Sequence, residues 1–163
     1  MMDFCRDHRP TRRWSFAALA AASMVSGLLA PSAATAQPIV FPHPFDGKPI
    51  ATPLKAGEVE TDALRRFKSS GVNVYHQDAR AVIEGKALYE HWCQVCHNAD
   101  GSGKMGPSLV GKAFTYPQTA TDTGMFAIVY GGASGAMQAF AARDISQDEI
   151  LKIIAFVRSI TPK

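Results

Sequence analysis

The most reactive side chains of this chain stand close together in the segment HWCQVCHNADG, where Cys93 and Cys96 are three residues apart and His97 follows directly. Two thiols at this spacing can add across the two vinyl groups of a haem, and the imidazole that follows them can then bind the iron. After attachment both sulfur atoms are thioethers, so no free thiol remains to be oxidised. We therefore predict one covalently bound haem c, held by Cys93 and Cys96, with His97 as an iron ligand.

Other uses of a Cys-x-x-Cys pair require surroundings that this sequence does not show. A thioredoxin-like dithiol needs a βαβ pattern, and a structural zinc site needs a second pair of ligands. The nearby segment GSGKM hints at a phosphate-binding loop. However, Asn98 stands where that pattern requires its first glycine, and Met105 stands where it requires Ser or Thr.

The sixth iron ligand must come from elsewhere, and three methionines follow His97. Met105 lies in the loop on the histidine side of the ring, and Met125 falls at a helical period with apolar neighbours, which favours core packing. Met137 lies in the flexible segment GGASGAMQAF, which can reach the opposite face. We predict His97 and Met137 as the two iron ligands, so that no position is left open for a substrate.

The other histidines are weaker candidates for a second ligand. His91 precedes the motif on the same helix and is expected to point elsewhere. His76 is expected to be an ordinary surface or core residue, and His43, between two prolines, is expected to be exposed.

The segment MGPSLVG offers a partner for the iron-bound histidine. A metal-bound imidazole usually donates its second N–H to a carboxylate or a carbonyl group. Pro107 lies ten residues after His97 and follows a glycine, and its carbonyl in this rigid turn is the predicted acceptor. Leu109 is then expected to pack on the ring. The alternative is that Pro107 only shapes a surface turn.

Residues 1–36 are predicted to be an export signal that is cleaved, which places the mature protein in the periplasm. Four arginines precede an apolar stretch of about 17 residues, short for a membrane anchor, and ATA follows as a small-residue cleavage site. The paired arginines do not decide the export route. Removal of four Arg and two Asp from 17 basic and 14 acidic residues leaves 13 and 12. That balance gives no support to nucleic-acid binding.

The elements that must position the haem residues are short helices joined by glycine-rich loops. Residues 37–78 are predicted to form a proline-rich extended arm and a short helix that begins near Thr61 or Asp62 and ends at Gly71. The arm is expected to wrap a core without building one. No alternating run of residues predicts a sheet.

Residues 79–163 are predicted to form the haem domain. Helices are expected over 79–96 and 122–130, and a last helix follows Ser146, which forms a capping box with Glu149. The apolar face of the first of these is assigned to Val82, Ile83, Leu88, Tyr89 and Trp92. The predicted fold class is all-α, with short helices around one covalent haem.

These motifs resemble those of class I c-type cytochromes over about Ala79–Ile160. The resemblance rests on CQVCH, GPSLVG and Met137, and also on Gly85, Tyr89 and Phe156. In that family the first and last helices of the domain cross at small and aromatic positions. The resemblance therefore implies that Gly85 lets Phe156 approach closely.

A narrower resemblance, to the cytochrome c-L group, rests on DGKPI, ETDALRRFKSSGVNVY, FTYPQTATDTGMF and VYGGASGAM. It implies a carrier, not an enzyme, that accepts single electrons from a PQQ-dependent methanol dehydrogenase. The acceptor would be a downstream c-type cytochrome or an oxidase. The segment MQAFAARDIS departs from the group, so the choice between a calcium- and a lanthanide-dependent donor stays open. The alternatives are a carrier for another periplasmic dehydrogenase, and a haem enzyme or sensor with a displaceable sixth ligand.

Overall fold

The computed structural model describes residues 39–162, and the predicted export signal lies outside the described residues. The described part is mostly helical, which confirms the predicted fold class. No helix in this part of the chain is long and apolar enough to cross a membrane. The α-helices of residues 39–162 are α1 (Asp62–Ser70), α2 (Ala79–Trp92), α3 (Gln94–His97), α4 (Asp122–Gly131) and α5 (Gln147–Ile160).

Two of these helices have the ends that their sequences predict. The Thr61 side chain accepts a hydrogen bond from the Leu64 amide at the start of α1, and Gly71 ends the helix with a φ of 72°. A left-handed residue in this place is commonly glycine, because a Cβ is unfavourable there. At the start of α5, Ser146 and Glu149 form both hydrogen bonds of the predicted capping box.

The helix predicted over residues 79–96 is interrupted, and this part of the prediction was wrong. The α2 helix ends at Trp92, and the single turn α3 begins after Cys93. The sequence has no glycine or proline at that point, so nothing in the local pattern indicates the break. Ile83, assigned to the buried face, is 70% exposed.

The arm before α1 does more than wrap the core. Phe41–Pro42 (β1) pairs antiparallel with Pro49–Ile50 (β2), although no sheet was expected. Strands of two residues are too short to show an alternating pattern. Phe41 is 3% exposed, and its ring lies 5.7 Å from that of Phe67 and 4.9 Å from that of Phe126. The arm thus contributes an aromatic residue to the core.

The crossing of α2 and α5 differs in detail from the expected one. A Cβ on Gly85 would lie 2.0 Å from the carbonyl oxygen of Lys152, so the glycine admits the backbone of α5 and not the side chain of Phe156. Phe156 instead packs on Tyr89, with 5.2 Å between ring centroids. Gly85 and the Tyr89–Phe156 pair therefore make two separate contacts where α2 crosses α5.

Candidate haem site

A mostly apolar cavity of about 500 Å³ lies beside α3. Its walls come from α3, the loop 104–109, the segment 114–119, α4, the loop 133–137 and α5. The volume lies within the range of cofactor and ligand sites. Every site residue predicted from the sequence lines this cavity: Cys93, Cys96, His97, Pro107, Leu109 and Met137.

Several lining residues were not singled out from the sequence. Ile128 and Val129 come from α4, and Ile153 and Val157 come from the buried face of α5. Their apolar character is that of ordinary core residues, so no local signal separates a side chain facing a cavity from one facing another helix. Tyr116, on the segment before α4, also lines the cavity.

The histidine of the motif is held in one orientation. His97 is 7% exposed, and its Nδ1 lies 2.8 Å from the carbonyl oxygen of Pro107. A Cβ on Gly106 would lie 2.5 Å from Cε1 of the imidazole, so only glycine fits against the ring. Because Nδ1 is engaged with a carbonyl group, Nε2 is the nitrogen that remains for a metal.

The loop that carries Pro107 is braced by several hydrogen bonds. Asn98 has a φ of 61°, and its side-chain amide donates to the carbonyl of Gly103 at 2.6 Å. The amide of Leu109 donates to the carbonyl of Gly101 at 2.8 Å. Tyr89 donates from its hydroxyl to the carbonyl of Asn98 at 2.7 Å. The position of the carbonyl beside His97 is therefore set by loop contacts and by α2.

Met137 lies on a second loop that closes on itself. The amide of Ala133 donates to the carbonyl of Met137 at 3.0 Å. Gly132 has a φ of 84°, and a Cβ there would lie 2.9 Å from the amide nitrogen of Ala139, so the turn requires glycine. The amide of Ser134 donates to the hydroxyl of Tyr116 at 3.2 Å, which ties this loop to the cavity wall.

All three candidate methionines border the cavity, and their surroundings separate them. Met105 is 75% exposed and adjoins the turn that packs on His97. Met125 is 4% exposed and belongs to the core cluster, as its helical period predicts. Met137 is half-buried on a different loop. The other histidines of the described residues are not in the lining, although His43 is half-buried and not exposed as expected.

Burial changes the pKa of one group that lines the cavity and of one that braces the Pro107 loop. Burial raises the pKa of the Cys93 thiol to about 12, with a smaller contribution from Cys96. Burial also raises the pKa of the Tyr89 hydroxyl. Within residues 39–162, no three His, Cys, Asp or Glu side chains converge where they could hold a metal ion. The donor set fits a ring attached by two thiols better than a bare metal ion.

Comparisons with known proteins agree with this geometry. A family model described as cytochrome c oxidase, cbb3-type, subunit III matches residues 80–157. Cytochrome c-L of Methylorubrum extorquens is 33% identical over 123 residues, which cover 75% of this chain and 62% of that protein's length. The crystal structure of cytochrome cL from the marine methylotroph Methylophaga aminisulfidivorans is 34% identical, with a TM-score of 0.73, and the match covers 76% of this chain and 81% of that chain. The chain belongs to the cytochrome c-L family.

A second solved cytochrome cL, from Hyphomicrobium denitrificans, is 32% identical with a TM-score of 0.69. That match covers 77% of this chain and 75% of the other. Membership means that this cytochrome c-L homologue carries covalently bound haem c and belongs to a family of electron-transfer proteins. The two thiols, the oriented imidazole and the apolar walls of the cavity fit that group.

Proposed function

We propose that this protein is a periplasmic monohaem electron carrier that accepts single electrons from a PQQ-dependent methanol or alcohol dehydrogenase. It passes them to a downstream c-type cytochrome or an oxidase. The observation that carries the proposal is that His97, at the end of α3, and Met137, on the loop after α4, border one mostly apolar cavity. The family membership supports the choice of donor.

In this proposal Cys93 and Cys96 form the two thioether bonds, and His97 and Met137 bind the iron. Pro107 accepts the Nδ1–H of His97, and Leu109 packs on the ring. A haem in this cavity supplies a one-electron change between two iron oxidation states. The apolar side chains of α4 and α5 exclude water from the cavity, and the braced loops keep both ligands in place.

Ligation of the iron by both His97 and Met137 would favour a carrier over a haem enzyme or sensor. Among the described residues, the ionisable side chains in the cavity wall are those of His97, the two cysteines, Lys104 and Tyr116. A haem enzyme needs an acid or a base beside an open iron position. The proposal fills both iron positions with protein ligands.

The surface beside the cavity suits a brief encounter with a partner. Val95, on α3, is 65% exposed, and Met105, at the cavity mouth, is 75% exposed. Short-lived electron-transfer complexes bury little surface and dissociate quickly. A quinol that releases two electrons needs two such encounters with a one-electron acceptor. The reduced carrier must therefore dissociate between them.

The test is stopped-flow reduction of the purified ferric protein by substrate-reduced methanol dehydrogenase, followed by haem absorbance. We expect fast, saturable reduction, and the calcium- and lanthanide-dependent enzymes can be compared directly. Val95→Asp should slow the bimolecular reaction several-fold. Val59→Asp changes a similarly exposed valine, at 73% exposure, and should not slow it, because Val59 lies between β2 and α1 and not between the two motif cysteines as Val95 does.

Absence of reduction by either enzyme would refute this choice of donor. The carrier for another periplasmic dehydrogenase would then replace it. Equal slowing by the two valine variants would contradict docking beside the cavity.

A further inference from the structure

The arm ahead of α1 contacts both ends of the loop that carries Met137. We define residues 132–146 as the methionine loop. Directly before this loop, at the last residue of α4, a Cβ on Gly131 would lie 2.6 Å from Cδ1 of Ile50 in β2. Lys55 contacts the downstream end of the loop, and Glu58 contacts the first residue of α5. A segment distant in sequence therefore brackets this loop.

Lys55 binds the downstream end through its side chain. Its Nζ donates to the carbonyl oxygens of Arg143 and Ile145, at 2.5 Å in both cases. Lys55 is half-buried, and Ile145 is 3% exposed. Hydrogen bonds from a charged donor are stronger than neutral ones, and partial removal from water strengthens them further.

Glu58, three residues after Lys55, completes the contact. Its carboxylate accepts from the amide of Gln147, the first residue of α5, at 2.5 Å and from the amide of Lys55 at 2.8 Å. The positively charged Lys55 therefore binds carbonyl oxygens, which carry a partial negative charge. The negatively charged Glu58 binds an amide at the start of a helix, where the partial charge is positive. The junction between the methionine loop and α5 is thus held by one turn of the arm.

A further hydrogen bond connects this junction with the methionine itself. The Arg143 side chain donates to the side-chain oxygen of Gln138, the residue next to Met137. The backbone of the same Arg143 is held by Lys55. Between them, Phe140 is 5% exposed and its ring packs at an angle on Trp92, with 5.9 Å between centroids. The path from Lys55 to Met137 therefore consists of these two hydrogen bonds and the packing of Phe140.

We propose that Lys55 is a positioning residue for the sixth iron ligand: by holding the carbonyls of Arg143 and Ile145, it keeps Met137 on the iron and limits its replacement by outside ligands. This inference rests on the proposed ligation by Met137. An outside ligand binds only the fraction of molecules in which the methionine has left, so its apparent affinity reports that fraction. Loss of the Lys55 contacts should increase it.

The test is imidazole binding to the ferric holoprotein, followed with the far-red absorption band that reports the iron–methionine bond. We expect Lys55→Met to retain the band without imidazole and to tighten imidazole binding by about tenfold or more, because each of the two charged hydrogen bonds that it removes is worth roughly that factor. Lys68→Met is the matched control. Lys68 also donates to an arm carbonyl, that of Thr52, at 2.9 Å, but it does not touch the methionine loop.

Lys68→Met should change imidazole affinity by less than about twofold, within ordinary surface effects. Arg143→Ala keeps the backbone contact of Lys55 but removes the bond to Gln138, and we expect a smaller tightening. An equal effect of Lys55→Met and Lys68→Met, or an unchanged affinity in Lys55→Met, would overturn the inference. Retention of the band by Met137→Ala would instead refute the assignment of Met137 as a ligand. Failure of the Lys55 inference can thus be told apart from failure of the ligand assignment.

Discussion

The carbonyl oxygen of Pro107 lies 2.8 Å from Nδ1 of His97, and Gly106 packs directly against the same imidazole. The amide of Gly106 also donates to the carbonyl of Cys96 at 2.9 Å. One short turn therefore orients the ring and is tied to the Cys-x-x-Cys-His segment at the same time. A hydrogen bond donated by Nδ1–H to a carbonyl oxygen makes an imidazole a stronger electron donor to a bound metal.

Gly106→Ala tests this orientation. The added Cβ would lie 2.5 Å from Cε1 of His97, so the ring must tilt or the turn must move. We expect a weaker hydrogen bond to Pro107 and a higher reduction potential, because a less basic ligand stabilises the ferric state less. A redox titration of the holoprotein measures the change.

Gly111→Ala is the control for that substitution. Gly111, unlike Gly106, has a left-handed backbone, with a φ of 94°, and a Cβ there has no neighbour within 4 Å. Backbone strain should lower its stability and leave the potential unchanged. A comparable rise of the potential in both variants would contradict a specific effect on His97.

Met137→Ala tests the proposed sixth ligand. The variant should lose the low-spin ferric spectrum and bind imidazole readily, because the iron would lose one of its two proposed protein ligands. Met105→Ala removes another methionine of the cavity lining that is 75% exposed, and its spectrum should stay unchanged. Optical and EPR spectra of the ferric proteins distinguish the two. An unaltered low-spin spectrum in Met137→Ala would rule out the assignment.

Gly85→Ala tests the crossing of α2 and α5. Intrinsic helix propensity alone predicts stabilisation by about 1 kcal/mol. We expect the opposite, a loss of about 3 kcal/mol or more in the free energy of unfolding, because the Cβ would lie 2.0 Å from the Lys152 carbonyl oxygen. Urea denaturation measures it. Ala87→Gly, at an exposed position of the same helix, should cost only about 1 kcal/mol. A stabilised Gly85→Ala would refute the close approach.

Asp122→Asn tests the charge cluster at the start of α4. Asp122 accepts hydrogen bonds from Arg158, at 3.0 Å, and from His76. Burial by itself would raise the pKa of the Asp122 carboxyl, but these two hydrogen bonds and charges lower it below its usual 3.8. We expect the variant to lose about 1–3 kcal/mol of unfolding free energy at neutral pH, because a charge-assisted contact is removed.

The sign of its pH dependence follows from that lowered pKa. The stabilisation by Asp122 is complete above the unfolded-state pKa of 3.8 and is lost as the pH falls through the lower folded-state value. The stability difference between the wild type and Asp122→Asn should therefore shrink between neutral pH and about pH 3. The exposed Asp144→Asn serves as the control, with little effect at either pH. An increase of this stability difference at acidic pH would contradict the prediction.

Short sequence patterns predicted those features that depend on neighbouring residues. The α1 helix begins after Thr61 and ends at Gly71, and α5 begins after Ser146, which pairs with Glu149. These ends could be predicted because caps act on backbone groups within a few residues. The motif CQVCH indicated covalent haem for the same reason, since thiol spacing along the chain suffices for the chemistry. The break at Cys93 has no such local cause, and it was missed.

The sequence by itself determined the helical class, the caps of α1 and α5, the haem chemistry and six of the residues that line the cavity. Tertiary structure alone decided that Gly85 meets the backbone at Lys152, that Phe41 joins the core and that Lys55 holds the methionine loop. Each of these contacts joins residues more than twenty positions apart. Their side chains show no periodicity that would identify a partner, because such pairs form only when the helices pack and bring distant segments together.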